Sequence, residues 1–198
     1  MLAPLLLLLM AAQAPCPPEA QKLVSDAAVR AQDPDLSSAA DALRDAASRG
    51  CVQAGIGAAY LRGLIDASEA FRQGAPPESL FPVHTAIASL ERLGQGRPGP
   101  AEVARLMLRA AAAAAQSERD EMALYLEHAE RMDGLLRATG QPAAPVLSAA
   151  EISGELWLQV HRYEDAHAAF TKAASQVGQT PRVVAGLARA AAGRQRGQ

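Results

Sequence analysis

The sequence predicts an all-α protein of antiparallel helix hairpins stacked one on the next, and three observations carry that prediction. Apolar residues recur at three- and four-residue spacings along nearly all of the 198 residues, and no useful length alternates with period two. Hydrophobic residues make up 49% of the chain but aromatics only 4%, so Ala and Leu dominate the apolar share, a mixture that favours helix over sheet. Pro34, Gly50, Gly74, Pro76-Pro77 and Gly178 then punctuate the periodic segments at intervals suited to short helices.

The chain begins MLAPLLLLLMAAQAPCPP: an apolar run over residues 5–10, followed by Ala12-Gln13-Ala14 in an A-x-A arrangement. That pattern predicts a secretory signal peptide over residues 1–14 and a periplasmic or cell-envelope location. The run falls short of the ~20 apolar residues of a membrane span. Membrane contact is therefore expected only if the segment is retained, and a buried N-terminal helix is the alternative. Cys16 lies outside a lipoprotein box, because Pro15 replaces the small residue before it.

Past residue 15, a first helix is expected over about 18–32, through Ala20, Leu23, Val24, Ala27 and Ala31, ending at Asp33-Pro34-Asp35 because Pro34 forbids continuation. A second, over about 36–49, carries Leu36, Ala39, Ala40, Leu43 and Ala47 on one stripe and stops at Gly50. The two cysteines, Cys16 and Cys51, would meet at the open end of this hairpin. An even count in an exported chain suggests one bridge, with two independent thiols as the alternative.

A third helix over about 52–73 contains Gly55, Gly57 and Gly63, small residues that permit close backbone approach and so mark a central, tightly packed helix. A fourth is expected over about 78–93, with Pro82 confined to its first turn. The stretch GQGRPGP over residues 94–100 reads as a hinge between an N-terminal helical region, 15–93, and a C-terminal repeat region, 101–198. Residues 101–116, with the run of alanines from Ala110 to Ala115, form a fifth helix. A sixth should start with Ser117 as N-cap and run to about Met132, followed by a connection over 134–145. The last third divides into helices over about 143–160, 163–177 and 181–192.

Residues 150–178 resemble a tetratricopeptide repeat, whose hairpin follows a W-x2-L-G-x2-Y, A-x3-F, P pattern. Gly154 stands at the small position where the helices touch, and Trp157 at the aromatic one. Tyr163 opens the second helix, and Ala166, Phe170 and Ala173 follow at the spacing the pattern wants. Departures are Ala150 for the Trp, Ser153 for the Leu and Gly178 for the Pro. Ala110, Leu126 and Ala129 repeat part of the pattern about 44 residues earlier, with Met122 at its small position, and Pro181 to Gly193 resembles the first helix of a further repeat. The resemblance implies a short TPR-like α-solenoid, against the alternative of a generic Ala-rich bundle.

Catalytic apparatus is not recognisable. Gly94-Gln95-Gly96-Arg97-Pro98-Gly99 matches G-x-G-x-x-G in letter, but it follows a helix, contains a proline and has no βαβ unit around it. His84, His128, His161 and His167 form no H-E-x-x-H, and no serine sits in a G-x-S-x-G elbow. Acid pairs such as Asp120-Glu121 and Glu164-Asp165 fit helix starts, where the macrodipole favours them. No cofactor is implied. A formal charge of -2, from 19 basic and 21 acidic residues interspersed, argues against nucleic acid as a partner.

The resemblance implies instead a concave face that binds a protein or peptide partner, lined by first helices of the repeats. The residues expected there are Glu151, Glu155, Leu158 and Gln159 with Arg182 and Arg189, and charge reversal at the two arginines is expected to weaken capture of the partner without altering helicity. The alternatives are that these are solvated helix positions, that residues 15–93 form a separate adaptor, or that the chain is an all-helical exported enzyme or ligand carrier with a dispersed pocket.

Overall fold

The computed structural model describes residues 16–33, 35–95, 99–140 and 146–196, and among these every regular element is helical. The expected signal segment, 1–14, and Gly96, Arg97 and Pro98 of the expected hinge lie outside the described residues. Helix α1, Pro18–Arg30, opens with a proline whose missing N–H is an orphan in any first helical turn. It buries Ala20 and Ala27 against α2, Ser37–Ser48. The Asp35 carboxylate accepts the Ser37 N–H at 2.9 Å at the start of α2, and that bond holds its pKa below the usual carboxylate value. Cys16 and Cys51 are disulfide-bonded, with Cα atoms 4.6 Å apart, closing the open end of the α1–α2 hairpin.

Helix α3, Val52–Arg72, packs against α2, α4 and α5. Its central position depends on size at Gly63, where a Cβ would stand 2.5 Å from Leu108 and 3.1 Å from Ala86. A 3-10 turn, Pro77–Leu80, leads into α4, Phe81–Gly94. The expected helical start at residue 78 is thereby corrected: the Pro82 ring crowds the carbonyl four residues back, so the preceding turn takes the tighter form.

Helix α5, Pro100–Ala115, is buried along most of its length, and all six alanines from Ala110 to Ala115 are covered by neighbouring helices. Helix α6, Arg119–Ala138, departs from expectation at both ends. Ser117 adopts a left-handed φ of 64° and caps nothing, leaving Glu118 as the N-cap residue without a side-chain bond. At the other end the helix runs through Gly134, because buried Leu136 and the Asp133–Arg137 pair at 3.0 Å outweigh the ~1 kcal/mol a single glycine costs.

Helix α7, Ala149–Gln159, starts later than residue 143 because Ser148 and Glu151 form a capping box there. Helix α8, Tyr163–Val177, has the expected bounds, and α9, Pro181–Arg196, continues one turn beyond the expected end. Each helix packs on the next in sequence, α5 rests on α3 as well as on α4, and α3, α5, α7 and α9 make one continuous row. The main hydrophobic core runs from Ala20 on α1 through Tyr60, Leu108 and Met122 to Val160 at the end of α7. A second cluster, Ala150, Ala173 and Val183, welds α7, α8 and α9. No described helix is long and apolar enough to cross a membrane.

The repeat-pattern residues fall where helices touch. Gly154 on α7 meets the Phe170 ring on α8, and the other side of that ring meets Gly186 on α9. Ala166 and Ala173 are fully buried, Tyr163 packs on Gly193, and half-buried Trp157 lies 5.7 Å below the Arg162 guanidinium.

Candidate functional site

A cleft of about 830 Å³ opens between α3 on one side and α7 and α9 on the other, with the start of α2 at one end. Its floor is apolar: Leu36, Leu64, Ala67, Ala111, Ile152 and Leu156 all line it and all are buried. Their placement follows from the row of packed helices. Leu64 and Ala67 are one turn apart on α3, as Ile152 and Leu156 are on α7, so each pair presents a single face toward the space between.

Of the six residues the sequence places on a binding face, the structure brings five to this cleft: Glu155, Leu158, Gln159, Arg182 and Arg189. Glu155, Leu158 and Gln159 are half-buried on α7, and Arg189 is exposed on α9. Glu151 is not on the cleft, which corrects the expectation for it. Its Oε2 accepts the Ser148 N–H and hydroxyl, both at 2.8 Å, and the residue is buried at the start of α7 because the capping box turns it back toward the chain.

Arg182 lines the cleft, but its guanidinium is committed. Its Nε donates to the Ala31 carbonyl at 3.0 Å, and it donates to the Asp33 carbonyl as well, so α9 is tied to the end of α1. Burial pulls its pKa below the ordinary arginine value, and Glu155 at 3.6 Å opposes that pull. Charge reversal here would leave two carbonyls facing a carboxylate, so the expectation that Arg182 can be reversed without structural effect is also corrected. Arg189 donates to Glu155 at 2.6 Å, which sets the Glu155 carboxylate between two guanidinium groups.

Sequence reasoning missed the opposite wall. Ile65, Ser68 and Arg72 of α3, together with Arg196 at the end of α9, complete the rim. The three-to-four spacing of Ile65, Ser68 and Arg72 marks one helical face, yet nothing in that spacing says which other helix it confronts. His161 Nδ1 and the Tyr163 hydroxyl, 3.0 Å apart, close the end at the α7–α8 turn.

Among the described residues, no group of three His, Cys, Asp or Glu side chains is placed to hold a metal ion. The chemistry the cleft offers is apolar contact along the floor and charge-assisted hydrogen bonding along the rim. No family model, curated protein or solved structure matches this chain.

Proposed function

We propose that this protein is a non-catalytic binding scaffold of the bacterial cell envelope, built of TPR-like helical repeats, whose cleft holds a segment of a protein partner. One observation carries the reading: five residues from two helices of the repeat region line one apolar-floored cleft, opposite a wall supplied by α3. The continuous row of α3, α5, α7 and α9 supports the solenoid arrangement, and the Gly154–Phe170–Gly186 stack supports the repeat resemblance. The Cys16–Cys51 bridge supports an oxidising compartment and hence export.

A photo-reactive residue at Gln159 tests the reading in cells. It should capture one envelope protein, the adduct should disappear when Leu158 becomes Asp, and the same probe at exposed Arg131 on α6 should capture none. Equal capture from both positions would sink the proposal. A second reading, a carrier of a small ligand, is favoured by the cleft's size, since 830 Å³ lies within the ~300–1,000 Å³ usual for small-molecule sites. Native mass spectrometry decides between them: a small molecule retained by the purified chain and lost on Leu158→Arg would establish the carrier.

A further inference from the structure

Building on the peptide-binding reading of the cleft, we propose that the segment it takes is acidic, and that Glu155 is a built-in competitor that sets this preference. Four arginines line the cleft, Arg72, Arg182, Arg189 and Arg196, against two carboxylates, Asp35 and Glu155. The imbalance matters because the arginines are not equally spent. Arg182 is 8% exposed and occupied by the Ala31 and Asp33 carbonyls. Arg189 is 54% exposed and among the described residues pairs with Glu155 alone. Among the described residues Arg196, exposed, makes no ion pair, and Arg72, 67% exposed, pairs only with its neighbour Glu69 one turn back.

An arriving carboxylate therefore finds open guanidinium edges on both walls, over an apolar floor that lowers the local dielectric and strengthens the attraction. At Arg189 it meets an incumbent, because Glu155 already makes the charge-assisted bond a partner carboxylate would make. Displacement is feasible since Glu155, 24% exposed, keeps Arg182 at 3.6 Å after Arg189 turns away. A partner without negative charge gains nothing from breaking that pair, and a basic one meets the arginine rim. Occupancy by a peptide, in preference to a lipid, follows from the polar groups spaced along the walls. Ser68, Gln159 and Tyr163 offer hydrogen bonds to main-chain amides and interrupt the continuous apolar lining an acyl chain requires.

The test uses the full chain and three randomised nonapeptide pools that share leucines at fixed positions, with the remaining positions filled by Asp and Glu, by Ser and Gln, or by Lys and Arg. Fluorescence anisotropy should show the acidic pool binding about tenfold tighter than the neutral one, the sum expected of two or three partly exposed charge pairs. Raising the salt from low to about 0.15 M should erode that difference. Glu155→Gln should tighten acidic binding about threefold by removing the competitor, and Arg189→Gln should cut the preference about two- to threefold while circular dichroism stays unchanged. A neutral pool that binds as well as the acidic one and is blocked by Leu158→Arg overturns the acidic preference and leaves the peptide-binding reading standing. Weaker acidic binding in Glu155→Gln overturns the competitor role. Binding of phosphatidylglycerol vesicles with no response to any pool overturns both.

Discussion

Gly154 on α7 and Phe170 on α8 are in contact so close that a Cβ added to Gly154 would stand 2.6 Å from the ring. The ring cannot retreat, since Gly186 of α9 presses on its other side. One aromatic side chain thus sets the spacing of three helices. That spacing fixes where α9 lies and hence where Arg189 meets Glu155.

Overpacking at this point should be costly. Gly154→Ala is expected to lower stability by about 1 to 3 kcal/mol, and Phe170→Ala by about 3 to 5 kcal/mol. In a double-mutant cycle Phe170→Leu should recover part of the Gly154→Ala loss, measured by denaturant melts. Additive losses would show that the two residues do not share one space.

Arg182 and Arg189 should separate sharply although both line the cleft. Arg182→Met leaves the Ala31 and Asp33 carbonyls without their donor and is expected to cost about 2 to 3 kcal/mol. Arg189→Met breaks one partly exposed pair and should change stability by less than about 1 kcal/mol. Urea unfolding of the two variants checks the contrast, and equal losses would refute it.

The covalent link between Cys16 and Cys51 spans 35 residues. Constraining a loop of that length in the unfolded chain stabilises the fold by about 3 to 4 kcal/mol. The double variant Cys16→Ser/Cys51→Ser should lose that much in a chemical melt, with the cleft-binding properties retained once folded. A melt unchanged by strong reductant would contradict the prediction.

Tyr60 gives the chain a sensitivity to alkali. Its hydroxyl is buried without a hydrogen-bond partner among the described residues, and burial first, then the charges of Glu151 and Asp133, push its pKa well above the ordinary 10.0. A folded-state pKa raised above the unfolded one means the associated stability is fully present below pH 10 and is lost as pH climbs toward the folded value. Tyr60→Phe should flatten that alkaline decline and, by removing an unpaired buried hydroxyl, raise stability near neutrality by about 1 kcal/mol. Thermal melts from pH 7 to 11 would show it; a decline identical in both proteins would assign the alkaline sensitivity to other groups.

What the sequence determined alone was local. The spacing of Leu36, Ala39, Ala40 and Leu43 suffices to make a helix and name its buried stripe, and Tyr163 to Val177 was bounded correctly because turn chemistry and period agree there. The meeting of Cys16 with Cys51 was legible for the same reason: a hairpin joined by a short turn has few ways to place its ends. Where two local rules compete, as at Gly134, helix breaking by glycine loses to the burial of Leu136 and the Asp133–Arg137 pair, and spacing alone does not show which prevails.

The cleft lies at the other extreme. Leu158, Gln159 and Arg189 could be assigned to one face from the repeat resemblance, because they lie within one hairpin and its neighbour. Arg72 and Ile65 could not be, since the α7 residues that share the cleft with them lie about 90 residues away. The removal of Glu151 from the surface and the tie from Arg182 to α1 were decided only by the tertiary structure. A side chain's period tells which way it points from its own helix; which charges it faces depends on which helices pack together and how closely, and close approaches such as the glycines at 63, 154 and 186 allow set that spacing.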